Sequence, residues 1–257
     1  MPAPLLEGLG VVITRPRVPA EALARQLAAE GARTFVFPAL EIESIPATPA
    51  LEAALDSLAH CDLAIFVSAH AVEKGLEAVR RRGSWPVRTR VAAVGEATAQ
   101  ALRSGGFAAV ISPAQRHDSD ALLARAELHA VEGQNIIVFR GEGGRERLRE
   151  VLESRGARVA YAECYRRVRA ASDPRPLLDA WSRGEVHAVN AMSAETLAHF
   201  VAMIGEEGRG RLAEAALVVP HEAIGGGPEA RRFGRIIVAA PGSRGIAVAL
   251  ATLKDIR

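Results

Sequence analysis

The residues that could do chemistry in this chain sit where short apolar runs end. Arg15 closes the run at 11–14, Ser68 the run at 63–67, Arg140 the run at 136–139 and Ser193 the run at 188–192. GEGGR, residues 141–145, follows Arg140 directly, so that Gly141, Gly144 and Arg145 share its junction. Such a place can hold an anion: a guanidinium offers a rigid fork of donors, and a helix start offers N–H groups without intrahelical partners. GEAT at 95–98, ending in Thr98, is a further amide-rich junction. The plainer alternatives stay open for each. A serine ahead of a helix is a sufficient N-cap, worth about 1 kcal/mol with no ligand at all. Arg15 and its neighbour Arg17 can be solvated, and GEGGR can be a tight turn.

Other chemistries are poorly supported. GEGGR is neither a Walker loop nor a dinucleotide fingerprint, because no GK[ST] follows and its glycines are misplaced. His221-Glu222 opens like a zinc HExxH helix, but Gly225 stands where the second histidine belongs. The other histidines, His60, His70, His117, His129, His187 and His199, form no i,i+4 or HxH pair, and there is no GxSxG elbow. No metal site and no cofactor is expected.

The elements that must position these residues come in two copies. Shifting the chain by 125 residues lays Val11, Val12 and Ile13 on Ile136, Ile137 and Val138, Arg15 on Arg140, and Gly31-Ala32-Arg33 on Gly156-Ala157-Arg158 without a gap. Ser68 falls on Ser193 under the same shift. Short β-branched runs alternate with helical stretches such as Leu23/Leu27 and Val72/Leu76/Val79, which is the pattern of parallel sheets with helices on both faces. Two copies of this length read as two similar α/β lobes, and two lobes imply a cleft for a ligand. Pro38 removes residues 38–42 from any central sheet position, so that stretch reads as a connection.

Composition narrows the partners. Thirty-two basic residues against 30 acidic leave a net charge of +2, so no whole-molecule field points to nucleic acid or to an anionic membrane. All the basic residues but Lys74 and Lys254 are arginine, a bias that codon usage or a carboxylate-rich ligand would equally produce. Cys61 and Cys164 are isolated thiols without CxxC spacing, in keeping with a reducing compartment. The opening MPAPLLEGLGVV has no basic n-region, and no apolar run approaches the roughly 18 residues of a membrane span. A soluble cytoplasmic protein is expected.

Six segments taken together resemble the uroporphyrinogen-III synthase family: VVITRP at 11–16, FPALEI at 37–42, IFVSAHAV at 65–72, VGEATAQAL at 94–102, FRGEGGRERL at 139–148, and the stretch ending in Tyr165-Arg166. Each is short, but their order and spacing span nearly the whole chain. The resemblance implies two α/β lobes joined by a two-stranded linker, one lobe from residues 1–37 and 168–257, the other from 43–161, with connections at 38–42 and 162–167. It also implies the activity, cyclisation of the linear tetrapyrrole hydroxymethylbilane to uroporphyrinogen III with loss of water and inversion of the last pyrrole ring, without a cofactor. Carried over by motif, Ser68, Thr98, Tyr165 and Ser193 become contacts to a substrate with eight carboxylates. His70 and Ala71 lie in the IFVSAHAV segment, and Tyr165 is the candidate proton donor to the departing hydroxyl. The family's second GxxT turn is missing near His221, so His221 or backbone amides would replace its threonine. A monomer, possibly near the enzyme that supplies its substrate, is the expected state. A two-lobed binding or sensor protein without catalysis is the competing reading.

Overall fold

The computed structural model describes residues 4–114 and 118–254, which leaves His117 outside the described residues. In chain order the elements are β1 (Gly10–Ile13), α1 (Arg17–Ala29), β2 (Arg33–Val36), β3 (Leu40–Ser44), α2 (Pro49–Asp56), β4 (Leu63–Phe66), α3 (Ala69–Arg80), β5 (Arg90–Ala93), α4 (Glu96–Ser104), β6 (Val110–Ile111) and α5 (Ser119–Leu123). The second half continues with β7 (Asn135–Gly141), α6 (Arg147–Ser154), β8 (Arg158–Arg169), α7 (Arg175–Ser182), β9 (Ala188–Asn190), α8 (Ala194–Met203), α9 (Gly205–Arg209), β10 (Ala216–Val219), α10 (Glu222–Gly225), β11 (Arg235–Val238) and α11 (Gly242–Ala251).

The chain divides into two compact units, one of residues 1–41 with 168–257 and the other of residues 42–167. The first holds a five-stranded sheet in the order β11-β10-β9-β1-β2, and the second belongs with a six-stranded sheet in the order β3-β8-β7-β4-β5-β6. The pairings within β11-β10-β9-β1-β2 and within β8-β7-β4-β5-β6 are all parallel. Read through the 125-residue shift, β7-β4-β5-β6 matches β1-β9-β10-β11, so each sheet takes its opening strands from one copy of the repeat and its remainder from the other. Residues 38–42 are more than a connection: Pro38 precedes β3, which joins the six-stranded sheet at its edge, a position where the missing proline amide costs no ladder bond.

The central strands of both sheets are buried on both faces, which is why they read as continuous apolar runs. In the second unit Ala64, Phe66, Val91, Ala93, Ile137 and Phe139 pack with α2, α3 and α4 on one side. Their alternates Leu63, Ile65, Ala92, Ile136 and Val138 pack with α5 and α6 on the other. The first unit alternates in the same way, Val12, Val189 and Leu217 on one face and Val11, Ala188 and Val218 on the other. Each fully buried Leu, Ile or Phe contributes roughly 1.5–3 kcal/mol of transfer free energy, so the strand ends are held by a stiff base.

Candidate functional site

In the second unit the carboxyl ends of β4, β7 and β8 bring together Ser68, His70, Ala71, Arg140, Gly141, Gly144, Arg145 and Tyr165. Ser68 follows β4 in an extended conformation, and its Oγ accepts the Ala71 N–H at 3.1 Å, capping α3. The same Oγ lies 3.0 Å from the Tyr165 hydroxyl, 97 residues away. That contact depends on β8. Its register against β7 shifts between Arg140 and Gly141, so that Arg140 faces Glu163 while Gly141 faces Tyr165. An irregularity of this kind re-aims a side chain, and here two successive residues, Cys164 and Tyr165, are both buried.

Gly141 is what admits the ring. A Cβ built there would lie 2.7 Å from Tyr165 Cε2 and Cζ, so any side chain would displace it. Tyr165 is 1% exposed, and its hydroxyl is therefore shielded from bulk water. The His70 ring meets it edge-on with centroids 6.0 Å apart, and the Arg167 guanidinium stands 5.7 Å from its centroid. Burial holds the His70 imidazole below its ordinary pKa; Glu73 works against that, while Arg167 and Lys74 add to it. A cavity of about 210 Å³ adjoins Tyr165, Gly141, Gly144, Arg145 and Arg167. A larger depression of about 710 Å³ opens at the far, amino end of β5 beside Arg88 and Arg103, and it includes none of these groups.

The glycine loop is less free to bind an anion than its sequence suggests. Glu142 N–H donates to the Tyr165 carbonyl at 2.8 Å, and Gly143 N–H donates to Glu163 Oε1 at 3.2 Å, so two of its amides are engaged within the chain. Arg140 is buried and braces the loop: Nη1 donates to Glu146 Oε1 at 3.1 Å, Nε to the Gly141 carbonyl at 3.3 Å, and Nη2 to the Gly143 carbonyl. Gly144 has φ +110° and leaves room for that guanidinium. Arg145 stays exposed, with no ion pair among the described residues. Ala71 is wholly buried and serves through its backbone, and Thr98 is buried at 4% exposure in the first turn of α4. Arg167, which the sequence reading did not single out, also lies beside the Tyr165 ring; two residues beyond Tyr165 on a strand is the same face, and that spacing was the available signal.

The first unit repeats the arrangement without the phenol. Ser193 Oγ accepts the Thr196 N–H at 3.1 Å to cap α8, and also lies 2.9 Å from Thr196 Oγ1. Leu40 occupies the repeat position of Tyr165. Arg15 follows β1 with Nη2 3.1 Å from Met192 Sδ, and burial pulls its guanidinium below the ordinary arginine pKa. His221 is exposed and precedes a helix of four residues, with no side-chain capping bond. Cys61 and Cys164 are both buried free thiols, and among the described residues no three His, Cys, Asp or Glu side chains cluster as metal ligands. No described helix is long and apolar enough to cross a membrane.

The described residues thus form two α/β units whose strand ends carry serine-capped helix starts, with a buried tyrosine at one of them. The family that matches the chain is described as Uroporphyrinogen-III synthase HemD, over residues 21–239. A Salmonella typhimurium protein named uroporphyrinogen-III synthase is 38% identical over 160 residues, 62% of this chain and 65% of its own length. One of that name from Escherichia coli is 30% identical over 197 residues, 76% of this chain and 80% of its own. The chain belongs to the uroporphyrinogen-III synthase family. Solved structures of uroporphyrinogen III synthase from Helicobacter pylori (TM-score 0.59, 13% identity, 97% of this chain and 100% of that one) and of a mutant from Thermus thermophilus (TM-score 0.55, 20% identity, 96% and 98%) share its fold.

Proposed function

We propose that this chain converts hydroxymethylbilane into uroporphyrinogen III, losing water and inverting the last pyrrole ring. The family match across residues 21–239 carries the reading. The substrate supplies most of the driving force, because a pyrrole nitrogen lone pair expels the terminal hydroxyl. The protein protonates that hydroxyl and holds the chain so that attack at the substituted position precedes simple closure. Tyr165 is the proton donor of this reading. In its bond with Ser68 the serine O–H then points at the phenol oxygen, while Ser68 Oγ accepts from Ala71 N–H. The tyrosine proton leaves with the hydroxyl as water. The phenolate that develops is met by the Ser68 O–H and by the positive start of α3, with the Arg167 guanidinium 5.7 Å from the ring centroid, and the proton released when the last pyrrole regains aromaticity restores it. Ser193, Thr98, Arg145, His221 and the exposed amides of residues 144–146 are the remaining contacts to the substrate carboxylates.

Incubation with freshly generated hydroxymethylbilane, followed by oxidation and isomer analysis, tests the reading. A large excess of type III over type I is expected. A type I pattern matching the protein-free control would refute catalysis and favour a non-catalytic binding protein. A cytoplasmic location, supported by the two buried free thiols, and a monomeric state, checked by sedimentation equilibrium, complete the proposal.

A further inference from the structure

Arg15 and Arg140 occupy the same position in the two copies of the repeat, yet their surroundings are opposite. The Arg140 side chain is 6% exposed and each of its nitrogens is engaged: Nη1 donates to Glu146 at 3.1 Å, Glu163 lies 3.8 Å from Nε, and the Gly141 and Gly143 carbonyls accept from Nε and Nη2. Arg15 has no carboxylate within ion-pair distance among the described residues. Its Nη2 reaches only Met192 Sδ, a weak acceptor, and its Nε is buried with no partner. The repeat explains the difference. Glu163 is replaced by Pro38, and Glu21, which stands where the other copy has Glu146, lies 4.0 Å from Arg17 instead. A buried guanidinium N–H without an acceptor is costly, and an added acceptor removes that cost. Met192 also adjoins Ser193, the cap of the ten-residue helix α8, so the positive helix start and the free arginine donors lie next to one another.

We infer that Arg15 binds a carboxylate of the polycarboxylate substrate, and that Arg140, its repeat mate, braces the glycine loop internally. The inference rests on the proposed cyclisation of hydroxymethylbilane and assigns one of the acid groups of that substrate to the first unit. Steady-state kinetics of Arg15→Ala, Arg15→Met and Arg15→Lys with fresh hydroxymethylbilane test it. KM is expected to rise roughly tenfold to a hundredfold in the alanine and methionine variants, the loss of one charge-assisted hydrogen-bonded pair. Because that contact is made alike in ground and transition states, kcat should change by less than about threefold. Arg15→Lys should recover part of the KM, since it keeps the charge without the fork. The thermal midpoint should not fall in Arg15→Met, which keeps the packing length and removes an unpartnered donor. A wild-type KM in a folded Arg15→Ala or Arg15→Met variant overturns the inference and leaves the proposed activity standing. A wild-type chain that forms no type III product overturns both.

Discussion

Replacing Tyr165 with phenylalanine deletes the hydroxyl that meets Ser68 Oγ at 3.0 Å and leaves the ring packed over Gly141. Two costs follow, and they can be measured separately. One neutral hydrogen bond contributes about 0.5–1.5 kcal/mol to stability, so the thermal midpoint should fall by roughly 1–6 °C. General acids usually contribute 10²–10⁴-fold, but here the leaving hydroxyl is already pushed out by its own pyrrole. A tenfold to hundredfold fall in kcat is therefore expected, about 1.4–2.7 kcal/mol of barrier. Ser68→Ala removes the same bond from the other side together with the α3 cap, at about 1 kcal/mol of stability, and should reduce kcat less. If the two hydroxyls act as one unit, the double variant should be no slower than Tyr165→Phe alone. Initial rates of type III formation, with folding followed by circular dichroism, provide the cycle. A fully active Tyr165→Phe enzyme would remove the phenol from the mechanism, and additive losses in the double variant would refute the coupling of the Ser68 and Tyr165 hydroxyls.

Three further outcomes follow from the same geometry. Gly141→Ala puts a Cβ 2.7 Å from the Tyr165 ring and should destabilise the chain by about 1–3 kcal/mol while lowering activity at least as much as Tyr165→Phe; unchanged melting and rate would contradict the packing. The depressed proton affinity of His70 in the fold means that the unfolded chain binds more protons as pH drops through the ordinary histidine pKa of about 6.5. Stability linked to His70 is thus present above that pH and lost below it, so His70→Gln should flatten the fall in urea midpoint between about pH 7 and 5, and an unaltered slope would refute this. Burial pushes Cys61 up to about 11 and Cys164 up to about 12, so neither thiol should react with an aromatic disulfide reagent in the native protein at neutral pH, while both react in denaturant; rapid labelling of the native chain would show that the sites open.

Much of the scaffold was legible because the relevant physics is local. Apolar β-branched runs bounded by glycine, proline and capping residues specify strands and helix starts within a few residues, and Ser68 and Ser193 both cap as their positions suggest. The 125-residue repeat likewise follows from comparing the chain with itself. What the sequence left open was everything set by contact between distant segments. Ser68 has the sequence of a plain cap, and only the shifted register of β8 against β7 brings the Tyr165 hydroxyl to it. Arg15 and Arg140 close equivalent strands of the repeat, but Glu146 and Glu163 pair with Arg140, whereas Arg15 Nε is buried without a partner. The GEGGR amides looked open to a ligand, yet Tyr165 and Glu163 on the neighbouring strand occupy two of them. Period and capping reveal where a donor stands along the chain; whether it is still free depends on which acceptors the folded sheet brings within 3 Å or so, and that is a property of register and burial alone.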